Sequence, residues 1–380
     1  MSFYAYYFAL YAQIAIGISF MPLWLQSEGL SIQDIGTITA AGALLAVLIN
    51  PIVGGLADKT GQAKVILLGL IALALLANAG LQLASTPLAI AGIFLCSRFV
   101  SAPFIPLSES ILLANLASTR LEFGKVRAWG SGAVVVTTLL CGYLVDWQGT
   151  AAVIVLVSVV LVCQAVLASA LPRRTRTRDQ ATSLATISTA IRNRSFLLLV
   201  GSAAIAQSCH GVFYAYSTFR WIEAGHSTLA IGAFWALGVG AEVFAFALSS
   251  RVSARLTAGK IIAIGTIASV LRWGTFAYSA DLYPTLFMQL LQTGSLAMTQ
   301  IGVATYMRRN IPVEALSSAT GTYAAGTGLI SALFILVAGQ LHALDSALVF
   351  LCTSIACIFA ACVALILVRT ENNSATPTSP

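Results

Sequence analysis

The sequence predicts an all-helical membrane protein with twelve transmembrane helices in two six-helix bundles related by pseudo-two-fold symmetry. Three observations carry this expectation: the composition, the length of the apolar runs and the placement of positive charge. Of the 380 residues, 58% are hydrophobic and only 9% are charged. A soluble domain carries about 25% charged residues, so a chain this long could not clothe a water-facing surface. A mean hydropathy of +0.91 agrees. A soluble enzyme, a nucleic-acid binder and a disordered chain are all excluded on these grounds. The net charge of +7 therefore calls for a reading other than a nucleic-acid partner.

A bilayer core needs roughly 20 apolar residues as helix. Twelve runs satisfy this, at about 3–26, 34–57, 64–84, 87–116, 127–146, 150–172, 196–221, 228–249, 260–279, 283–308, 315–341 and 345–369. They are long and continuously apolar, whereas barrel strands would be short and alternating. The first run has no Lys or Arg before it and no small-residue cleavage site, so it reads as a retained span. Charge then orients the spans. With a cytoplasmic N-terminus, every Lys and Arg except Arg98, Arg220 and Arg272 lies on the inner side. Both termini are expected to be cytoplasmic, in a bacterial-type inner membrane.

The expected organisation is an N-terminal bundle (1–172), a cytoplasmic linker (173–195), a C-terminal bundle (196–370) and a disordered cytoplasmic tail (371–380). The linker opens with a basic cluster, Arg173 to Arg178, and continues with Leu184, Ile187 and Ile191 at helical spacing. It reads equally as a short interfacial helix or as a solvated basic linker. The seven cysteines sit inside apolar stretches without a CxxC pair or a Cys/His cluster. They read as small buried hydrophobes, and neither a metal site nor a disulfide frame is expected.

Between spans 2 and 3 the chain reads Gly54-Gly55-Leu56-Ala57-Asp58-Lys59-Thr60-Gly61-Gln62-Ala63-Lys64. Its Gly54, Asp58, Lys59, Gly61 and Lys64 resemble the loop 2–3 signature of the major facilitator superfamily, with Ala63 as the departure. Glycines there allow a tight turn and close helix approach. Asp58 can face the positive end of a neighbouring helix, which the resemblance places near Pro312–Glu314. The corresponding stretch of the second half, Ser249 to Lys260, keeps basic residues but not the Asp.

Further segments sharpen the resemblance: Pro103 to Glu109, Phe123 to Ser131, His210 to Tyr214, Gly238 to Val243, and Arg272-Trp273-Gly274. Together they resemble the 3-phenylpropionic acid transporter family, a branch related to lactose and nucleoside symporters. The resemblance implies proton-driven uptake of a small aromatic carboxylate by two bundles that rock about a central cavity. A sugar or nucleoside symporter, or a multidrug-type exporter, would use the same scaffold. A monomer is expected, with a small molecule and the lipid bilayer as partners, no nucleic acid, and a proton gradient in place of a cofactor.

Ionisable groups inside spans are costly and usually face a cavity or a partner. Glu242 in span 8 is the expected proton-coupling residue, because a carboxyl in a low-dielectric cavity can hold a proton near neutral pH. It shares a face with Trp235 and Gly238. Arg272 in span 9 can pair with Glu242 or bind a substrate carboxylate through two parallel hydrogen bonds. Arg98 in span 4 can hold an anion from the other half. His210 forms a polar stripe with Gln207 and Tyr214, and can carry a proton or bind substrate. Tyr7 and Tyr11, with Tyr4, share a face of span 1, and with Tyr214 and Trp235 they can stack on an aromatic ring. Gln289 and Thr293, with Gln300, make a polar face of span 10. Near the inner surface Glu109 can pair with Lys125 or Arg127 as a gate. Pro51, Pro103 and Pro106 are expected to bend spans 2 and 4. Enzyme chemistry lacks a scaffold here. The Trp129-Gly130-Ser131-Gly132 stretch lacks the first Gly of a GxSG protease motif, and HExxH and Walker sequences are absent.

Overall fold

The computed structural model describes residues 2–116, 122–172, 192–312 and 315–375. Among them the chain is helical, with no strand. The helices are α1 (Ser2–Ser19), α2 (Met21–Ser27), α3 (Ile32–Thr60), α4 (Ala63–Leu83), α5 (Pro87–Ser101), α6 (Phe104–Leu116), α7 (Phe123–Gln148) and α8 (Ala151–Ser169). They continue as α9 (Arg194–Glu223), α10 (Thr228–Ala247), α11 (Ser249–Arg255), α12 (Ala258–Tyr278), α13 (Leu282–Leu290), a π-helical segment (Thr293–Met298), α14 (Thr299–Asn310), α15 (Leu316–His342) and α16 (Ser346–Ala375).

Ten helical spans are long and apolar enough to cross a bilayer by length and composition. The pair α1 and α2, bent by 49°, makes an eleventh. The bend falls where Pro22 opens the first turn of α2, a position that tolerates its missing N–H. The expected tenth span is divided among α13, the π segment and α14. Taking each divided run as one span gives the twelve that the hydropathy predicts. The outer faces are apolar: Leu48, Ile52, Leu76, Val166 and Phe244 are all more exposed than buried. Such a surface suits lipid and not water.

Two compact units are present: Met1–Asp179 with Tyr214–Ala236, and Gln180–Phe213 with Leu237–Pro380. The expected boundaries put 214–236 with the C-terminal bundle. Within the first unit, however, Asp146 near the end of α7 caps the start of α10. Its Oδ1 accepts from the Thr228 N–H at 3.0 Å and its Oδ2 from the Leu229 N–H at 3.0 Å. Thr218 also donates to the Ser19 carbonyl at 2.6 Å. In the same unit α1 packs on α7 and α8, and α4 on α5 and α8. In the second unit α12 is the central helix, packed on α16, α14 and the π segment. Its small residues let α14 approach closely, and Ala258, Ile262, Val303, Tyr306 and Leu367 form part of the core there.

Some expectations change. Span 2 continues through Thr60, so Asp58 and Lys59 belong to its last helical turn, and Gly61 ends it with φ +68°. Only glycine adopts that conformation freely, which fixes the residue type. Gly54 and Gly55 have open space around them, not a close neighbour. Cys141, Cys209 and Cys357 are buried, but Cys96, Cys163, Cys352 and Cys362 are exposed. These four lie on outward helix faces, where a small apolar side chain meets lipid as well as protein. Residues 371–375 continue α16, and Glu371 Oε2 accepts from the Gly259 N–H at 3.0 Å, capping the start of α12. The expected linker helix at 184–191 and residues 376–380 lie outside the described residues.

Candidate functional site

Two intramembrane places hold polar side chains, one in each unit. In the second unit the centre is Arg272, carried on α12 and fully buried. Its Nη2 donates to Gln289 Oε1 at 2.9 Å and Gln292 Oε1 at 2.7 Å, and its Nη1 donates to Ser295 Oγ at 3.1 Å. The guanidinium carbon lies 4.7 Å from the Phe213 ring centroid and 4.6 Å from that of Trp273. Hydrogen bonds to a charged group contribute about 1.5–3 kcal/mol each. Three of them, with two aromatic faces, can offset the cost of an arginine inside a bilayer, about 2.5–3.5 kcal/mol by insertion scales.

The network extends both ways from Arg272. Gln292 Nε2 donates to Glu242 Oε2 at 3.1 Å. One amide thus joins the carboxylate and the guanidinium, its oxygen accepting and its nitrogen donating. Gly238 of α10 makes room for this: a Cβ there would lie 2.8 Å from Gln292 Oε1 and 3.2 Å from Gln289 Oε1. On the other side His210 Nε2 lies 3.3 Å from Ser295 Oγ, and Nδ1 lies 3.0 Å from the Ala206 carbonyl. A carbonyl only accepts, so Nδ1 carries the hydrogen. In the neutral ring Nε2 then accepts the Ser295 hydroxyl hydrogen, while the Ser295 oxygen accepts from Arg272. His210 also meets Trp273 edge-on, with centroids 5.1 Å apart.

The structure therefore brings Glu242, Arg272, His210 and Gln289 together. It adds Gln292, one turn after Gln289 on the same helical face, and Ser295, inside the π segment that begins at Thr293. An i→i+5 turn inserts residues into the α register and rotates the helix beyond it. Thr293, expected to line a face with Gln289, donates instead to the Ala241 carbonyl at 2.9 Å. The available signal was the polar cluster Gln289, Gln292, Thr293 and Ser295 in an otherwise apolar run. Gln207 stands one turn before His210 with its Oε1 buried. Tyr214 and Trp235 pack on each other in the first unit, with centroids 5.8 Å apart.

The second place is a cavity of about 290 Å³ bordered by α1, α2, α3, α4, α5, α6 and α8 of the first unit. Gln13, Asn78, Ser97, Arg98 and Ser101 line it with apolar residues. Arg98 is exposed to this cavity while surrounded by the bundle. Among the described residues no side chain forms an ion pair or hydrogen bond with its guanidinium. Among the described residues no acidic side chain lines the cavity. Gln13 Oε1 and Asn78 Oδ1 have no partner in its wall. Asn78 is 3% exposed, and its amide nitrogen is held by Ser158 Oγ at 2.6 Å. Tyr7 and Tyr11 do not line the cavity: they stack on each other with centroids 6.2 Å apart. Tyr11 also lies under Arg127, 5.9 Å from its guanidinium carbon.

At the end of the bundle near Asp58, Arg127 Nη1 donates to Glu109 Oε1 at 2.5 Å, whereas Lys125 pairs with Glu122 at 2.8 Å. Of the two partners the sequence offers to Glu109, the structure selects Arg127. Lys64 donates to the carbonyls of Ser169 and Leu171 at 2.7 and 2.6 Å, fastening the end of α8. The expected partner of Asp58 near Pro312–Glu314 includes residues 313 and 314, outside the described residues. Among the described residues no group of three or more His, Cys, Asp or Glu is arranged to hold a metal ion.

Membrane-length apolar helices that carry buried ionisable side chains define a multi-pass membrane protein, and its family makes it a secondary transporter of the major facilitator kind. The model of the MFS_1 like family matches residues 1–360, and the chain belongs to that family. Among curated relatives, the Escherichia coli (strain K12) protein named "Probable 3-phenylpropionic acid transporter" is 28% identical, over 79% of this chain and 80% of its own. The maltose permease of Geobacillus stearothermophilus is 24% identical, over 97% and 94%. Among solved structures, a mutant of the nucleoside transporter NupG superposes with a TM-score of 0.83 at 14% identity, covering 96% of this chain and 98% of that one. Members of this family are transporters and not enzymes.

Proposed function

We propose that this protein is a proton-coupled symporter of a small aromatic carboxylate, working by alternating access in the inner membrane with both termini cytoplasmic. The observation that carries the reading is the amide bridge from Glu242 through Gln292 to Arg272. A charged Glu242 accepts from Gln292 and lies near the cationic centre. A protonated Glu242 no longer offers that charge, so the bridge loosens and the balance around Arg272 changes. Proton binding is thereby linked to the packing of α10 against the π segment. His210, joined to Arg272 through Ser295, completes the proton-handling set. The substrate carboxylate supplies the negative charge that one of the two buried arginines, Arg272 or Arg98, can take. Aromatic side chains near each, such as Phe213 and Phe94, suit an aryl ring. The name of the Escherichia coli relative supports the 3-phenylpropionate-like substrate, and import is the expected direction. Glu109–Arg127 and the Asp58 motif serve as the cytoplasmic latch. The protein works as a monomer, with the proton gradient as its only energy source.

A sugar substrate is the second reading, favoured by the maltose permease relative that aligns along 97% of this chain. The discriminating test is a Glu242→Gln variant in proteoliposomes. Substrate exchange should persist while gradient-driven accumulation disappears. Undiminished accumulation would remove Glu242 from the coupling role. A panel containing maltose and 3-phenylpropionate separates the two substrate readings.

A further inference from the structure

We infer that the transported anion is held inside the first unit by Arg98, in a cavity that accepts one negative charge and one compact apolar body, and that Arg272 does not bind it. This rests on the symport reading and assigns its substrate site. The two arginines differ in what remains for a ligand. Arg272 has no exposed surface, and three neutral acceptors and two aromatic rings already surround its guanidinium. A carboxylate could reach it only by displacing that shell. Arg98 opens into a cavity of about 290 Å³ whose lining, among the described residues, contains no acidic residue. Among those residues no side chain balances its charge. A cation that faces a mostly apolar cavity favours an anion, because the apolar wall weakens the screening of their attraction.

The rest of the lining defines the ligand. Ser97, Ser101 and Gln13 add neutral hydrogen-bonding groups beside Arg98. Phe94, Phe104 and Leu161 supply apolar wall. A single cation pairs with a monoanion, and a second carboxylate on the ligand would enter the apolar wall unpaired, at high cost. The volume lies at the small end of ligand pockets, which run from roughly 300 to 1,000 Å³. It suits a monocarboxylate with one ring and excludes a disaccharide. Gly42 fits against the base of the Arg98 side chain, where a Cβ would lie 3.3 Å from Arg98 Cβ, so α3 fixes where the arginine stem leaves α5.

The test uses the purified full chain in lipid nanodiscs, with calorimetric titration of four probes. These are 3-phenylpropionate, its neutral amide, the dianion phenylsuccinate, and cyclohexanecarboxylate as a non-aromatic monoanion. The wild type should bind the monoanions and give at least a tenfold weaker signal for the amide and the dianion. Arg98→Gln should lose monoanion binding at least tenfold, and Arg98→Lys should recover part of it. Thermal unfolding of each variant identifies any that fail to fold, and Arg98→Lys keeps the comparison open if Arg98→Gln does. Monoanion binding by a folded Arg98→Gln protein at wild-type strength overturns the inference, as does equal binding of the amide. The symport reading fails separately. If cyclohexanecarboxylate binds through Arg98 but 3-phenylpropionate does not, the aromatic substrate is wrong and the Arg98 site stands. If Arg98→Gln still accumulates 3-phenylpropionate in a proton gradient as the wild type does, symport stands and the site is wrong.

Discussion

The two intramembrane arginines have opposite surroundings, and the contrast matches the two tasks that the proposed carrier needs. Around Arg272 the protein builds a buried network: Gln289, Gln292 and Ser295 accept hydrogens of its two Nη groups, Phe213 and Trp273 cover its faces, and Gln292 passes the connection to Glu242. Around Arg98 the protein leaves an opening lined by neutral groups. A satisfied charge suits a switch, because changing one proton nearby unbalances many contacts at once. An unsatisfied charge in a cavity suits a binding site, because the ligand supplies the missing partner. The same residue type thus sits in two environments, set by neighbours that sequence spacing does not reveal.

Glu242→Gln should produce the largest effect. It sharpens the contrast by silencing the switch alone: accumulation in a proton gradient should fall to the level of passive leak, with counterflow retained. Next comes Gln292→Ala, which cuts the bridge from both sides. It should lower stability by about 1.5–3 kcal/mol, the value of one hydrogen bond to a charged group, seen as a lower unfolding temperature in nanodiscs. An equal loss from Gln13→Ala in the Arg98 cavity would break the comparison, since Gln13 makes no hydrogen bond among the described residues. Asp146→Ala removes the cap at the start of α10 and should cost about 1 kcal/mol, with little change in monoanion affinity measured by titration. Smallest of all, Arg127→Gln should change stability by less than about 1 kcal/mol. The Glu109–Arg127 pair is partly exposed, with 48% of the Arg127 side chain and 30% of the Glu109 side chain accessible, and solvent screening weakens it.

Much of the fold was legible because a bilayer demands it. Apolar length and the positions of Lys and Arg lead to twelve spans without any tertiary information. The breaks within spans were harder to read. Pro22 marks the turn between α1 and α2, but apolar continuity masks it. The π segment has no such marker; it begins at Thr293, just after Gln289 and Gln292, which lie one turn apart and both accept from Arg272, while Thr293 donates to the Ala241 carbonyl. Glu242, His210 and Arg272 stood out because charged and polar groups are rare inside spans. Their connection did not, because it runs through neutral Gln292 and Ser295. Arg98 was visible as an intramembrane charge, yet only packing shows that it opens into a cavity. Tyr7 and Tyr11 share the expected face of α1, but that face packs against α7 and not the cavity. Aromatic spacing alone cannot distinguish a helix contact from a ligand contact.

The most direct test of the central claim is proton flux measured with substrate flux. Proteoliposomes with a pH indicator outside, clamped at zero membrane potential, receive 3-phenylpropionate with no imposed pH gradient. The neutral acid crosses lipid unaided, so protein-free vesicles and Glu242→Gln vesicles set the baseline. Symport predicts external alkalinisation well above both baselines, in step with labelled substrate entering. Substrate entry above baseline with no matching proton uptake would contradict proton coupling and leave a carrier that merely equilibrates its substrate.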